Sequence, residues 1–245
     1  MDRLVYIAMS SAQQDRLMES SLANNLANAS TVGYKADQVN FKSLYVQGSA
    51  FAPTRIYSAA GANGVNLSEG NIDTTRRPLD IALKGNAWLS VTTPDGATGY
   101  VHSASLLVNS NGVLVTQSGD TVNSVNGFSI TVPPGGPVSI DKTGGINVLR
   151  NGSVSVVDKL KIVSLPKNSI FKGSNGLIQS NPAVGVPTLN DGPVVLSGAL
   201  EGSNVSAVET LVRMMDLSRQ YEAKINQIST AKKDDNSVNQ LLDVR

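Results

Sequence analysis

The sequence predicts an α+β fold: a central antiparallel β domain, barrel- or sandwich-like, inserted between N- and C-terminal helices that pair as a coiled coil on assembly. Three observations carry this. Residues 2–32 contain neither glycine nor proline and are rich in Ala, Leu, Met, Gln, Glu and Ser. Residues 204–245 open with apolar side chains at alternating steps of four and three. Between these ends the hydrophobic period falls to two, as in a sheet with one buried face. The expected boundaries are 1–33 for the first helix, 34–75 for an extended connector, 76–190 for the β domain, 191–203 for the return connector and 204–245 for the second helix.

In the first helix Leu4, Ile7 and Ala8, then Met18, Leu22, Leu26 and Ala29, keep helical spacing, while Ser11 to Arg16 is mostly polar. Gly33 is the first residue able to close it in a left-handed conformation. In the β domain Leu79, Ile81 and Leu83 alternate with Asp80, Ala82 and Lys84. Val/Ile/Thr-rich runs follow at Trp88–Thr92, Tyr100–Val108, Val113–Thr116, Phe128–Val132 and Ile146–Leu149, and alternation resumes from Val154 to Leu165. Asp95–Gly96, Asn111–Gly112, Asn126–Gly127 and Asn151–Gly152 separate them, and such dipeptides supply the positive φ of tight hairpins. The arrangement is that of a Greek-key or barrel-like domain. In the second helix Ser206 and Glu209 form an S-x-x-E capping box. Ala207, Leu211, Met214, Ser218, Tyr221, Ile225 and Ile228 then define an a/d seam of about three heptads. Leu211, Met214, Tyr221, Ile225 and Ile228 are the expected assembly interface, because heptad periodicity favours helix against helix.

Composition narrows the function. The net charge is +1, so no global field draws nucleic acid or an anionic membrane. The absence of cysteine removes disulfides, thiolate nucleophiles and Cys-based zinc sites, and a single histidine leaves no His cluster for a metal. No run approaches the roughly 18 apolar residues of a membrane span, so direct membrane insertion is not expected. Leu4 to Met9 is shorter than a secretory apolar region, and Gln13–Gln14–Asp15–Arg16 follows where a small-residue cleavage site would stand. A cleavable signal peptide is therefore not expected.

Nothing in the chain reads as an active site. There is no G-x-S-x-G, Walker A, G-x-G-x-x-G or H-E-x-x-H string. His102 lies in an alternating run and reads as a strand-face side chain, not a general base. Asp234–Asp235 diverge on a helix by about 100° and read as a solvated pair. Arg76–Arg77 reads as a solvated loop pair, with an anion contact as the alternative. Trp88 reads as core packing, with sugar stacking as the alternative. No catalytic, cofactor-binding or metal-binding residue is assigned.

Specific strings then carry a resemblance. Asn24–Asn25–Leu26–Ala27–Asn28–Ala29–Ser30–Thr31–Val32–Gly33–Tyr34–Lys35 resembles the N-terminal signature of bacterial flagellar rod and hook proteins, NNLANxxTxGF(K/R), with Tyr34 in place of the usual Phe. Leu200–Glu201–Gly202–Ser203–Asn204–Val205, Met214–Met215 and Arg219–Gln220–Tyr221–Glu222 resemble the matching C-terminal signature. Pro78–Gly85 and Asn109–Val115 resemble the opening of the family's β domain. Met1–Tyr6 and Arg213–Arg219 look most like a proximal-rod member, with a distal-rod or hook-type relative as the alternative. Where relatives carry a Y-T-R-x-G-x-F type string, this chain has Tyr100–Val101–His102–Ser103–Ala104–Ser105–Leu106.

The resemblance implies a non-enzymatic structural subunit of the periplasm-spanning basal-body rod. Its partners would be itself and other rod proteins, and it would be exported unfolded through the flagellar type III apparatus. Asn24, Asn25, Leu26, Ala27, Asn28, Thr31 and Gly33 would form the N-terminal assembly motif, and no cofactor is implied. Two readings from other classes compete: a peptidoglycan-acting enzyme, which needs a carboxylate pair that does not stand out here, and a secreted β-domain adhesin with incidental helices.

Overall fold

The computed structural model describes residues 3–45, 56–60, 64–150, 152–173 and 175–242, with side chains for 9–41, 64–150, 152–173 and 175–233. The chain forms two compact units. One comprises residues 1–29, 36–66 and 205–245; the other comprises 30–35 and 67–204.

The first unit holds both long helices, α1 (Arg3–Ala27) and α2 (Ala207–Leu242), packed against each other within a single chain. It also holds two antiparallel strand pairs from the stretch read as a connector, Asp37–Gln38 with Gly64–Val65 and Phe41–Tyr45 with Ile56–Ala60. Helix α1 closes at Ala27, six residues before Gly33. The Asn28 amide turns back to donate to the Asn24 carbonyl at 2.9 Å, and the Ala29 N–H reaches Leu26 at 3.2 Å, one residue short of an α-helical step. The first adds a second donor to a carbonyl that already accepts the Asn28 N–H, and the second tightens the last turn to a three-residue step.

Helix α2 starts on the predicted cap residue, with the Glu209 N–H donating to the Ser206 hydroxyl at 3.4 Å, one half of the expected capping box. The Glu209 carboxylate pairs forward with Arg213 at 2.6 Å. The helix runs 36 residues, about 54 Å at 1.5 Å per residue. Its buried and half-buried line is Thr210, Met214, Leu217, Tyr221, Lys224 and Ile228, again at steps of four and three. That line is rotated by one residue from the seam read along the sequence. Met214, Tyr221 and Ile228 belong to both lines, while Leu211 and Ile225 lie off it and remain 48% and 42% exposed.

The rotation has a polar cause. An apolar scan passes over Thr210 and Lys224, yet each has an internal partner. The Thr210 hydroxyl donates to the Ser206 carbonyl at 2.8 Å, and the Lys224 ammonium lies 2.6 Å from the Asp15 carboxylate. On α1 Ala12 and Asp15 are buried and Ser11, Met18 and Leu22 half-buried, so the polar centre of that helix is where the ion pair sits. Arg16 stacks over the Tyr221 ring, 5.5 Å from its centroid, and also donates to the Tyr221 hydroxyl at 3.4 Å. The steps from Asp15 to Arg16 and from Lys224 back to Tyr221 give the helices an antiparallel register.

The second unit is built on an eleven-stranded sheet whose pairings are antiparallel. At its centre Trp88–Thr92 pairs with Thr98–Val101, and Asp80–Leu83 lies between Ser103–Val108 and Val195–Ser197. Val138–Ile140, Gly145–Arg150 and Ser153–Lys159 form a separate three-stranded sheet. Ile81, Leu106, Leu114, Ile130 and Ile146 are fully buried in the common core. Trp88 is buried, 2% exposed.

Three strand expectations change. Asp80–Leu83 is buried on both faces and does not alternate, because Asp80 accepts the Ser105 hydroxyl at 2.7 Å and so tolerates the interior. Tyr100–Val108 is two strands broken at His102. Phe128–Val132 makes only isolated bridges, Asn123 with Ser129 and Val113 with Thr131, since its bonds alternate between two neighbours. At Asp95–Gly96, Asn111–Gly112 and Asn126–Gly127 only the glycine has positive φ (84°, 77° and 86°), the mark of a turn closed by a left-handed glycine and not a two-residue type I′ turn.

The Asp15–Lys224 pair generates a stability prediction. Lys224→Ala strands a largely buried carboxylate and should lower the helix pair's stability by about 2 kcal/mol, less than a fully buried pair because Lys224 is partly exposed. The double replacement Asp15→Leu with Lys224→Met removes both charges and should cost less than about 1 kcal/mol. Urea unfolding followed by helical circular dichroism at neutral pH measures both.

Candidate functional site

In the second unit three ionisable side chains meet away from solvent. The Glu201 carboxylate accepts the Lys35 ammonium at 2.8 Å and the Gly70 N–H at 2.6 Å through one oxygen, and His102 Nδ1 through the other. The Lys35, Glu201 and His102 side chains are 1–2% exposed. His102 Nε2 faces the Gly85 carbonyl at 2.9 Å, and the Trp88 ring stands edge-on to the imidazole at 5.0 Å between centroids. Lys35 also donates to the Ser68 carbonyl at 2.9 Å.

Backbone bonds complete the cluster. The Gly33 N–H donates to the Glu201 carbonyl at 2.8 Å, the Glu201 N–H to the Ser103 hydroxyl at 2.9 Å, and the Asn204 N–H to the Tyr34 carbonyl at 3.3 Å. Gly33 has φ +67°, and a Cβ there would lie 3.0 Å from the Ser103 carbonyl oxygen, so a side chain fits neither the conformation nor the space. Lys172 closes the outer side, 3.7 Å above the Tyr34 ring centroid and donating to the Lys35 carbonyl at 2.7 Å. Chain passes from one unit to the other at 29/30, 35/36, 66/67 and 204/205. Residues 33–35, 68–70 and 201–204, which lie beside the last three of those passages, are thus fastened to one carboxylate.

Lys35 and Glu201 come from the two terminal signatures, and the geometry brings those signatures together. Sequence reasoning did not find the trio. His102 is a buried hydrogen-bond partner of the Glu201 carboxylate between two strands, not a strand-face side chain. A carboxylate, imidazole and ammonium in contact would suit acid–base chemistry in a cleft, but side chains so fully closed offer a substrate no approach. Arg77 is exposed, 3.9 Å from the Asp80 carboxylate. The side chains of Asp234 and Asp235 lie outside the described residues.

At the end of α1 the asparagines converge on Asp37. The Asp37 N–H donates to Asn25 Oδ1 at 2.8 Å, and Asn25 Nδ2 donates back to the Asp37 carbonyl at 2.9 Å. Asn24 Nδ2 donates to the Asp37 carboxylate at 3.0 Å. Leu26 is half-buried, Ala27 and Thr31 are exposed, and the Thr31 carbonyl accepts the Tyr34 N–H at 3.3 Å.

The Glu201 carboxyl is held at about 2, against an ordinary 4.5. Burial alone would push it up; hydrogen bonds from His102, Lys35 and the Gly70 amide outweigh that and pull it down. A carboxyl lowered on folding stabilises the fold above its unfolded value, and that contribution is lost as pH falls through the folded one. The second unit should therefore lose on the order of 3 kcal/mol between about pH 4.5 and pH 2. Urea midpoints across that window test it. Glu201→Gln should be less stable at neutral pH and show a flatter profile through the same window.

Residues 196–241 match the family described as flagellar basal body rod FlgEFG protein C-terminal, and residues 82–156 match the flagellar hook protein FlgE/F/G D1 domain. The chain is 34% identical over 251 residues to the flagellar basal-body rod protein FlgF of Escherichia coli (strain K12), covering 99% of each chain. It is equally similar, 34% over 251 residues and 99% of each, to FlgF of Salmonella typhimurium. Against the flagellar basal-body rod protein FlgG of Buchnera aphidicola subsp. Acyrthosiphon pisum it is 28% identical, over 93% of this chain and 95% of the relative. With both terminal signatures joined on Glu201 and near-complete coverage at this identity, the chain belongs to the flagellar basal-body rod protein family, whose members are structural and not enzymatic.

Proposed function

We propose that this chain is a FlgF-type subunit of the proximal rod, exported through the flagellar type III apparatus and joining copies of itself and other rod proteins through its terminal helices. The rod it helps to build carries torque across the periplasm.

The observation that carries this reading is an apolar stripe on α2. Val208, Leu211, Val212 and Met215 recur at helical spacing and are 74%, 48%, 52% and 57% exposed. At about 100° per residue they lie roughly opposite the line that packs on α1. An isolated surface helix would carry polar residues there. Covering such side chains is worth up to about 1.5–3 kcal/mol each, and a repeated head-to-tail contact of this kind builds a helical polymer when the rotation does not close. Leu211 and Ile225 join copies in this scheme. Met214, Tyr221 and Ile228 serve it indirectly, by fixing how α2 lies on α1.

Electron microscopy of basal bodies from a strain lacking the chain tests the reading, with a rod missing or cut short in the periplasm as the expected result. Val212→Asp and Leu211→Asp sharpen it. Both positions are exposed, so monomer stability should stay within about 0.5 kcal/mol of the parent, while swimming and rod formation are lost. Leu217→Asp, on the buried line, should instead unfold the helix pair itself. Complete rods and normal swimming with Leu211→Asp and Val212→Asp combined would refute assembly through this stripe.

A further inference from the structure

The asparagines of the N-terminal signature all have a use inside one subunit. Asn25 is 6% exposed although its side chain is fully polar. Its amide offers one acceptor and one donor to Asp37, at 2.8 and 2.9 Å, and takes both backbone groups of that residue. This double bond copies what a neighbouring strand provides across an antiparallel ladder. On the strand Asp37–Gln38, Asp37 is paired with Val65, so a helix side chain and a strand both serve one short segment.

The flanking asparagines reinforce this contact. Asn24 donates to the Asp37 carboxylate at 3.0 Å, and Ser21 donates to the Asp37 carbonyl at 3.4 Å. Asn28 donates to the Asn24 carbonyl at 2.9 Å and to its Oδ1 at 3.1 Å, which turns the Asn24 amide nitrogen toward Asp37. We infer that Asn24, Asn25 and Asn28 are positioning residues that dock the strand pair Asp37–Gln38 and Gly64–Val65 onto the end of α1 within each subunit, and are not contacts between subunits.

The chemistry requires asparagine. Aspartate at position 25 would set a lone pair against the Asp37 carbonyl, and glutamine would carry the amide one carbon too far. An unpaired amide or carbonyl at a buried site loses the full desolvation cost of that group, which sharpens the choice. This inference concerns the monomer, so it stands or falls separately from the rod reading.

Amide hydrogen exchange on the full-length monomer tests it. In the parent the Asp37 N–H should be protected. In Asn25→Ala it should exchange at least about tenfold faster, with Asn66, whose N–H donates to the Ala36 carbonyl, following, while amides in the middle of α2 keep their protection. Asn24→Ala, at an exposed position that the fold tolerates, should speed Asp37 exchange by about threefold. Asp37→Asn should leave protection near the parent's, since the Asn25 bonds go to the backbone and an amide oxygen still accepts from Asn24. If Asn25→Ala and Asn24→Ala leave Asp37 protection unchanged yet abolish rod formation, these asparagines contact neighbouring subunits and the inference fails.

Discussion

A single carboxylate organises the second unit. Burying an ion costs several kcal/mol unless its charge and its lone pairs are met, and Glu201 is met by an ammonium, an imidazole nitrogen and a backbone amide. Each of those donors comes from a different part of the chain, so they must be gathered before the charge is tolerable. Removing one leaves the remainder buried and uncompensated. Residues 33–35, 68–70 and 201–204 are thereby held in one arrangement, and these are stretches through which the polypeptide leaves and re-enters the unit.

The helix pair relies on the same device in a milder form. A seam of small and apolar residues alone would let two helices slide by a heptad, because each position resembles the next. Asp15 and Lys224 remove that freedom, since only one register brings them within 2.6 Å. Arg16 on Tyr221 repeats the constraint one turn away. Fixing the register also fixes which residues are left facing out. Val208, Leu211, Val212 and Met215 are outside because Thr210, Met214 and Leu217 are inside.

His102 ties two parts of the interior together. Its imidazole has one nitrogen facing the Glu201 carboxylate and the other the Gly85 carbonyl. The ring also packs edge-on to Trp88, so one side chain joins the ionic junction to the aromatic part of the interior. The Tyr100–Val108 run breaks at this same residue.

The sequence by itself determined the order of elements, helix then antiparallel β then helix, because periods of two and of three to four survive any tertiary context. It determined the left-handed glycines at Gly96, Gly112 and Gly127, since no other residue takes that conformation freely. It also carried the family, whose strings include Asn24, Asn25, Lys35 and Glu201. Only the tertiary structure decided which residues of α2 face inward, for polar Thr210 and Lys224 become seam positions through partners over 200 residues away in one case and four in the other. The end of α1 at Ala27, where the Ala29 N–H shortens its reach to the Leu26 carbonyl, is a local feature that hydrophobic periodicity does not register. The burial of Lys35, His102 and Glu201 was not legible at all. A charged residue reads as solvated until the fold supplies the opposite charge, and here the partners stand 166 and 99 residues apart.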